Sequence, residues 1–151
     1  MEPLELLQER WRAGFVLHIN GLVFGDGRVL LIDAKTVLSG TTVKTVATPL
    51  ANTTASSVLR HNATAWVTVT RLATLVWSPS CHVECGEGAM GNEGYIAAVD
   101  DHDGSLIWML FCTASNPFVD LYREDDTVVV EGGYDQRWRI PWGAPEKFSI
   151  E

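Results

Sequence analysis

The residues best equipped for chemistry stand together at Cys81-His82-Val83-Glu84-Cys85, with His102 and Cys112 further along the chain. Thiolates and imidazoles are the ligands zinc prefers, and a structural zinc site needs four of them. The Cys-x-x-x-Cys spacing supplies two sulfurs, but no second cysteine pair follows, so a full set would have to recruit Cys112 or His102. Cys81, His82, Cys85 and Cys112 are thus the metal candidates, and the incomplete set leads us to expect no bound metal and no cofactor. A thiolate–imidazole pair for nucleophilic catalysis would set Cys81 or Cys85 against His82. Neighbours on an extended chain, however, point to opposite faces. No Gly-x-Ser-x-Gly elbow and no phosphate-binding glycine loop occurs. Glu84, Glu87 and Glu93 offer carboxylates for glycoside chemistry, as any acidic loop does. Asp100, Asp101 and Asp103 before Gly104 lack the downstream glutamate of a calcium loop, and read as turn aspartates bonding their own backbone.

Charge points elsewhere. Residues 1–75 carry seven Lys/Arg against five Asp/Glu, whereas residues 76–151 carry four against fourteen, within an overall net charge of −8. Such a C-terminal half is a poor match for nucleic acid, which demands a basic footprint, and a good match for a basic protein drawn in by electrostatic steering. Glu124, Asp125, Asp126, Glu131 and Asp135 fall on or beside one expected hairpin, and Trp138 and Trp142 follow closely. These seven residues form the candidate partner-binding set: an acidic rim around an apolar anchor. Of the six tryptophans, Trp108 and Trp77 are expected in the core, with Trp138 and Trp142 the exposed pair. His18, within an apolar run, is expected to be a core histidine with its hydrogen bonds satisfied.

The elements that must position these residues are mostly strands. Residues 3–12 predict a helix, with Pro3 in its first turn, Arg10 and Arg12 in its last, and Leu4, Leu7 and Trp11 along one face. Residues 15–24 and 28–32 predict a hairpin around Gly25-Asp26-Gly27, although Asn20-Gly21 is also a turn dipeptide. Residues 41–47 predict a strand, 48–60 a loop, and 64–77 one bent strand or two. Residues 78–93, with Pro79 and three glycines, predict a long irregular connection. Two β-compatible runs, 95–99 and 105–112, flank the turn at Asp100–Gly104. Leu106-Ile107-Trp108-Met109-Leu110-Phe111, apolar throughout, predicts a central strand buried on both faces. Residues 119–122 and 127–131 predict another hairpin and 134–140 a last strand.

Across Ala98-x-Asp100-x-x-x-Gly104-x-x-x-Trp108 the chain resembles a repeat signature of quinoprotein-type β-propellers, with Asp103 where that family carries threonine. The resemblance implies a closed hairpin with a docked tryptophan. A propeller needs several such copies, and one copy implies neither a propeller nor a quinone. A hairpin followed by Ser115-Asn116-Pro117-Phe118 also resembles small bacterial immunity proteins that accompany secreted toxins.

The expectation is therefore a mainly β (α+β) single domain spanning residues 1–151. It is a twisted antiparallel sheet of roughly eight short strands with an N-terminal helix packed on it. The expected function is non-enzymatic: an acidic binding protein of the immunity or inhibitor type that engages a basic partner such as a toxin or nuclease. The alternatives are a metal- or cysteine-dependent enzyme using the Cys81–Cys85 segment, and a tryptophan-based carbohydrate or ligand binder. An acidic start without an apolar leader, and apolar runs too short to span a bilayer, make a cytoplasmic protein without membrane contact the expectation.

Overall fold

A computed structural model describes residues 2–62 and 66–151. It begins with α1 (Pro3–Arg12), β1 (Phe15–Leu17), β2 (Gly21–Phe24), β3 (Arg28–Ser39) and β4 (Thr42–Thr54), then α2 (Ala55–His61). There follow β5 (Trp66–Thr68), β6 (Thr70–Ser78), β7 (Cys81–Glu87), β8 (Gly94–Asp100) and β9 (Leu106–Cys112). The chain closes with β10 (Asp120–Glu124), β11 (Thr127–Glu131), β12 (Arg137–Pro141) and β13 (Ser149–Ile150). All strand pairs are antiparallel. Seven strands form one sheet in the order β4-β3-β2-β9-β8-β7-β6, four form a second in chain order β10 to β13, and β1 pairs with β5.

The expected mainly β fold and its N-terminal helix are found, but with thirteen strands among the described residues instead of eight. The large sheet is buried on both faces. Leu22, Val83, Cys85, Ile96, Trp108 and Leu110 pack with Leu121, Val128, Val130, Trp138 and Ile140 of the second sheet. On the other side Tyr95, Ala97, Met109 and Phe111 pack with Leu7 and Trp11 of α1 and with Val16 and Leu17 of β1. Strand β9 supplies both layers, as its unbroken apolar run requires. Its register shifts between Ala98 and Val99, which face Trp108 and Leu106, leaving Ile107 as the extra residue of a bulge.

Four differences from expectation have physical causes. Residues 48–54 continue β4, because among the described residues no strand pairs with its outer edge, which tolerates Pro49. The chain then turns into α2, where Thr54 caps the helix by accepting from Ser57 N–H. Most of the expected irregular connection is β7. Gly86, which looks like a loop residue, is required because a Cβ there would lie 2.0 Å from the Thr70 carbonyl oxygen. Residues 15–24 divide into β1 and β2, which join different sheets, so the tight reversal lies at residues 25–27. The last expected strand starts late, at Arg137, since Tyr134 and Asp135 both take positive φ (60° and 57°) in a 3-10 turn, and β13 follows it. Of the expected run 64–77, residues 64 and 65 lie outside the described residues, and the rest forms β5 and β6.

The β3–β4 hairpin runs well past its pairing with β2 and forms an arm. Its free edge is closed at Thr45, whose N–H donates to Gln136 Oε1 (2.8 Å) and whose carbonyl accepts from Gln136 Nε2 (2.9 Å). A side-chain amide thus takes the place of a strand, protecting an edge that would otherwise invite pairing.

Trp108 lies where both sheets meet, so Trp108→Ala should cost about 3–5 kcal/mol. Chemical denaturation measures this. An unchanged midpoint would count against the packing described.

Candidate functional site

Strand alternation sorts the chemistry-bearing segment of β7. Val83 and Cys85 face the second sheet, and His82 and Glu84 face the α1 side. His82 Nδ1 lies 2.5 Å from Asp101 Oδ1 and its Nε2 lies 2.9 Å from Glu84 Oε1. Glu84 Oε2 in turn accepts from the Tyr95 hydroxyl at 2.6 Å. A ring that faces carboxylates through both nitrogens can satisfy them only as the imidazolium. Burial opposes that charge, but the hydrogen bonds to Glu84 and Asp101 outweigh it, and the His82 pKa is raised above 6.5. Burial and the Glu84 carboxylate push the Tyr95 hydroxyl up as well, so it stays a donor. This chain borders a cleft of about 410 Å³ lined by Trp11, Arg12, Arg71, Glu84 and Tyr95. Sequence reasoning treated His82 as a thiolate partner and missed its carboxylates. The signal was the His-x-Glu spacing, which puts both side chains on one face of a strand.

The cysteines do not converge with it. Cys85 is buried, and burial followed by the charges of Asp120 and Glu84 raises its thiol to about 12. Cys112 is buried and also raised, chiefly by burial. Cys81 is only partly covered. Among the described residues no group of three or more His, Cys, Asp or Glu side chains is placed to hold a metal ion.

His18 proves to be an exposed residue. Its Nε2 lies 2.5 Å from Oε2 of Glu93, a carboxylate that is 3 % exposed and also accepts from Met90 N–H. His82 and His18 tie loops down at opposite ends of the sheet.

The expected partner-binding set is divided. Trp138, expected to be exposed, is 1 % exposed because inward-facing alternation on β12 sends it against Phe118 and Phe148. Glu131 lies at the far end of the β10–β11 ladder from Glu124, and Asp135 follows in the 3-10 turn. On the outer face of the second sheet Glu124 pairs with Arg139 (3.1 Å), which also holds Glu151, and Glu131 lies 3.5 Å from Arg137. Glu124 and Glu131 are thus paired with arginines where they stand.

Asp125, Asp126 and Trp142 belong to a different surface. Trp142 stacks on Trp77 with ring centroids 4.7 Å apart and planes at 10°. The Trp108 indole N–H donates to the Trp142 carbonyl, and the Trp142 N–H donates to Asp126 O. Arg123 lies 3.8 Å over the Trp77 ring and donates to the carbonyls of Trp77 and Asp125. The β6–β7 and β8–β9 turns are joined at the same end, where Asp101 N–H donates to Ser80 O. Exposed Asp125 and Asp126 therefore lie beside a half-buried tryptophan stack, with Asp126 3.8 Å from Arg123, whereas Asp101 and Asp103 turn to His82 and to Arg12 of α1. Trp77, expected in the core, is half of that stack.

Comparison of the chain with protein-family models, with curated proteins and with solved structures gives no match.

Two measurements test these assignments. Because the folded-state pKa of His82 lies above 6.5, its pairing stabilises fully below about pH 6.5. That contribution is lost as pH rises through the folded-state value. His82→Gln should therefore be less stable than wild type at pH 6, with the gap narrowing at alkaline pH, which denaturation at several pH values will reveal. In native protein a thiol reagent should label Cys81 first, with Cys85 and Cys112 reacting only in denaturant, as peptide mapping will read.

Proposed function

We propose that this protein is a non-enzymatic binding module that engages a basic protein, in the manner of an immunity protein or inhibitor. The observation that carries the reading is the Trp77–Trp142 stack beside the acidic turn at Asp125 and Asp126, with the Asp126 side chain 97 % exposed. Desolvated aromatic anchors supply affinity, and exposed charges around them supply orientation and on-rate. Asp126 suits that task better than Glu124 and Glu131 on the sheet face, since it is 97 % exposed although 3.8 Å from Arg123, against 51 % and 41 % for the other two. The resemblance of residues 115–118 and the hairpin before them to toxin-immunity proteins points the same way. Against a cysteine-dependent enzyme stands Cys85, whose raised pKa keeps it a protonated thiol near neutral pH.

Association with a basic partner should slow as salt rises and the screening length falls toward about 10 Å at 0.1 M. A variant combining Asp125→Asn and Asp126→Lys should lower the on-rate several-fold with little change in fold. Asn at position 125 is chosen because φ there is 54°, which Asn tolerates better than Lys. Partner capture from the native cells, followed by surface-binding kinetics, measures this. Equal on-rates for variant and wild type would sink the reading.

A further inference from the structure

Next to the tryptophan stack lies a cleft of about 350 Å³ whose walls include Phe24, Asp26, Arg28, Trp108, Trp142 and Pro145. Trp77 covers one side of the Trp142 ring, and Trp108 meets it edge-on at 65°, while Trp142 itself lines this cleft. The molecule already seats guanidinium groups on aromatic rings at this end, twice. Arg123 lies 3.8 Å over Trp77, and Arg28 lies 4.3 Å over Phe24. Each ring offers its negative face to a planar cation, an attraction strongest for tryptophan. The charge of Arg28 does not bar a second cation, since both oxygens of Asp26 engage its Nε, at 3.1 and 2.9 Å.

We propose that this cleft seats an arginine side chain of the partner, its guanidinium laid on Trp142 as a continuation of the Arg123–Trp77–Trp142 stack. The inference rests on the reading of the protein as a binder of basic proteins. It adds which residue type enters and where. Arginine fits better than lysine because a planar cation stacks face to face on an indole, whereas an ammonium is a compact, strongly hydrated charge. The acidic turn at Asp125 and Asp126, where the 97 % exposed Asp126 lies 3.8 Å from Arg123, would raise the local concentration of such a cation without touching it.

The test uses N-acetyl-arginine amide, with N-acetyl-citrulline amide as a near-isosteric uncharged control, followed by NMR of the tryptophan indole N–H and backbone amides. The expected result is saturable shifting of the Trp142 indole and the Gly143 amide by the arginine compound, with at least tenfold weaker binding of the citrulline compound. Trp142→Leu should lose the binding, and Trp142→Phe, which keeps an aromatic face, should retain part of it. Absence of saturable shifts, equal binding of both compounds, or shifts confined to the acidic turns would overturn the proposal. Because the probe needs no partner, this failure is separable from that of the functional reading. Probe binding with unaltered partner kinetics in the charge variant leaves the cleft standing and removes the partner role. Slowed partner kinetics without probe binding does the reverse.

Discussion

Everything in the molecule leans on β9, a strand whose two faces are both in the dark. Leu110 and Cys112 go to the layer shared with the second sheet, and Met109 and Phe111 to the layer under α1. Burying both faces of one strand stabilises two layers with a single stretch of backbone, at roughly 1.5–3 kcal/mol for each large apolar side chain fully buried. The bulge at Ile107 decides what happens at the strand's start. By inserting a residue opposite Ala98 and Val99, it brings Leu106 to the α1 layer while leaving Trp108 in the layer between sheets. From there the Trp108 indole reaches the Trp142 carbonyl and ties the second sheet to the centre of the first. The tryptophan stack is the visible end of that core connection.

Loops at the two ends of the large sheet are held by histidine–carboxylate contacts of different character. At one end His82 bridges β7 to the turn carrying Asp101, and both of its nitrogens are engaged. At the other, exposed His18 reaches a carboxylate buried between the chain and Gly88, where a Cβ would sit 2.5 Å from Glu93 Oε1. Removing His18 would leave the buried Glu93 carboxylate with one partner fewer in a poor solvent. Edges are treated with the same economy. The Gln136 amide closes the arm at Thr45, and Pro49 with the register shift between Leu31 and Ile32 interrupts β4 where its outer side is open.

The acidic character of the C-terminal half divides into two populations with different consequences. Acids on the outer face of the second sheet meet Arg137 and Arg139 there, Glu131 from the directly opposed position and Glu124 from across β11. Acids in the turns project past the strand ends, where Asp101 meets His82, Asp103 meets Arg12 and Asp126 lies 3.8 Å from Arg123. Asp125 and Asp126 stand exposed beside the half-buried tryptophan stack, and the proposed binding role depends on that exposure.

The helix, the two-sided central strand, the Gly25-Asp26-Gly27 reversal and the β10–β11 hairpin were all legible in the residues. Their causes are local: apolar periodicity, caps and turn chemistry act over a few neighbours. The acidic turn and Trp142 were likewise visible as candidates. What escaped depended on partners distant in the chain. Gly86 read as a loop residue because the Thr70 carbonyl that excludes a side chain there is set by strand pairing. Trp138 and Trp142 are both tryptophans on one short stretch, yet one is in the core and the other at the surface. Strand parity and the approach of Trp77, Phe118 and Phe148 decide between them. His82 drew attention for its cysteine neighbours, but pairing of β7 with β8 turned it toward Asp101 and Glu84 instead. Composition and spacing determined which side chains were available. Register between strands far apart in sequence decided which of them meet, because a shift of one residue reverses the face on which each side chain falls.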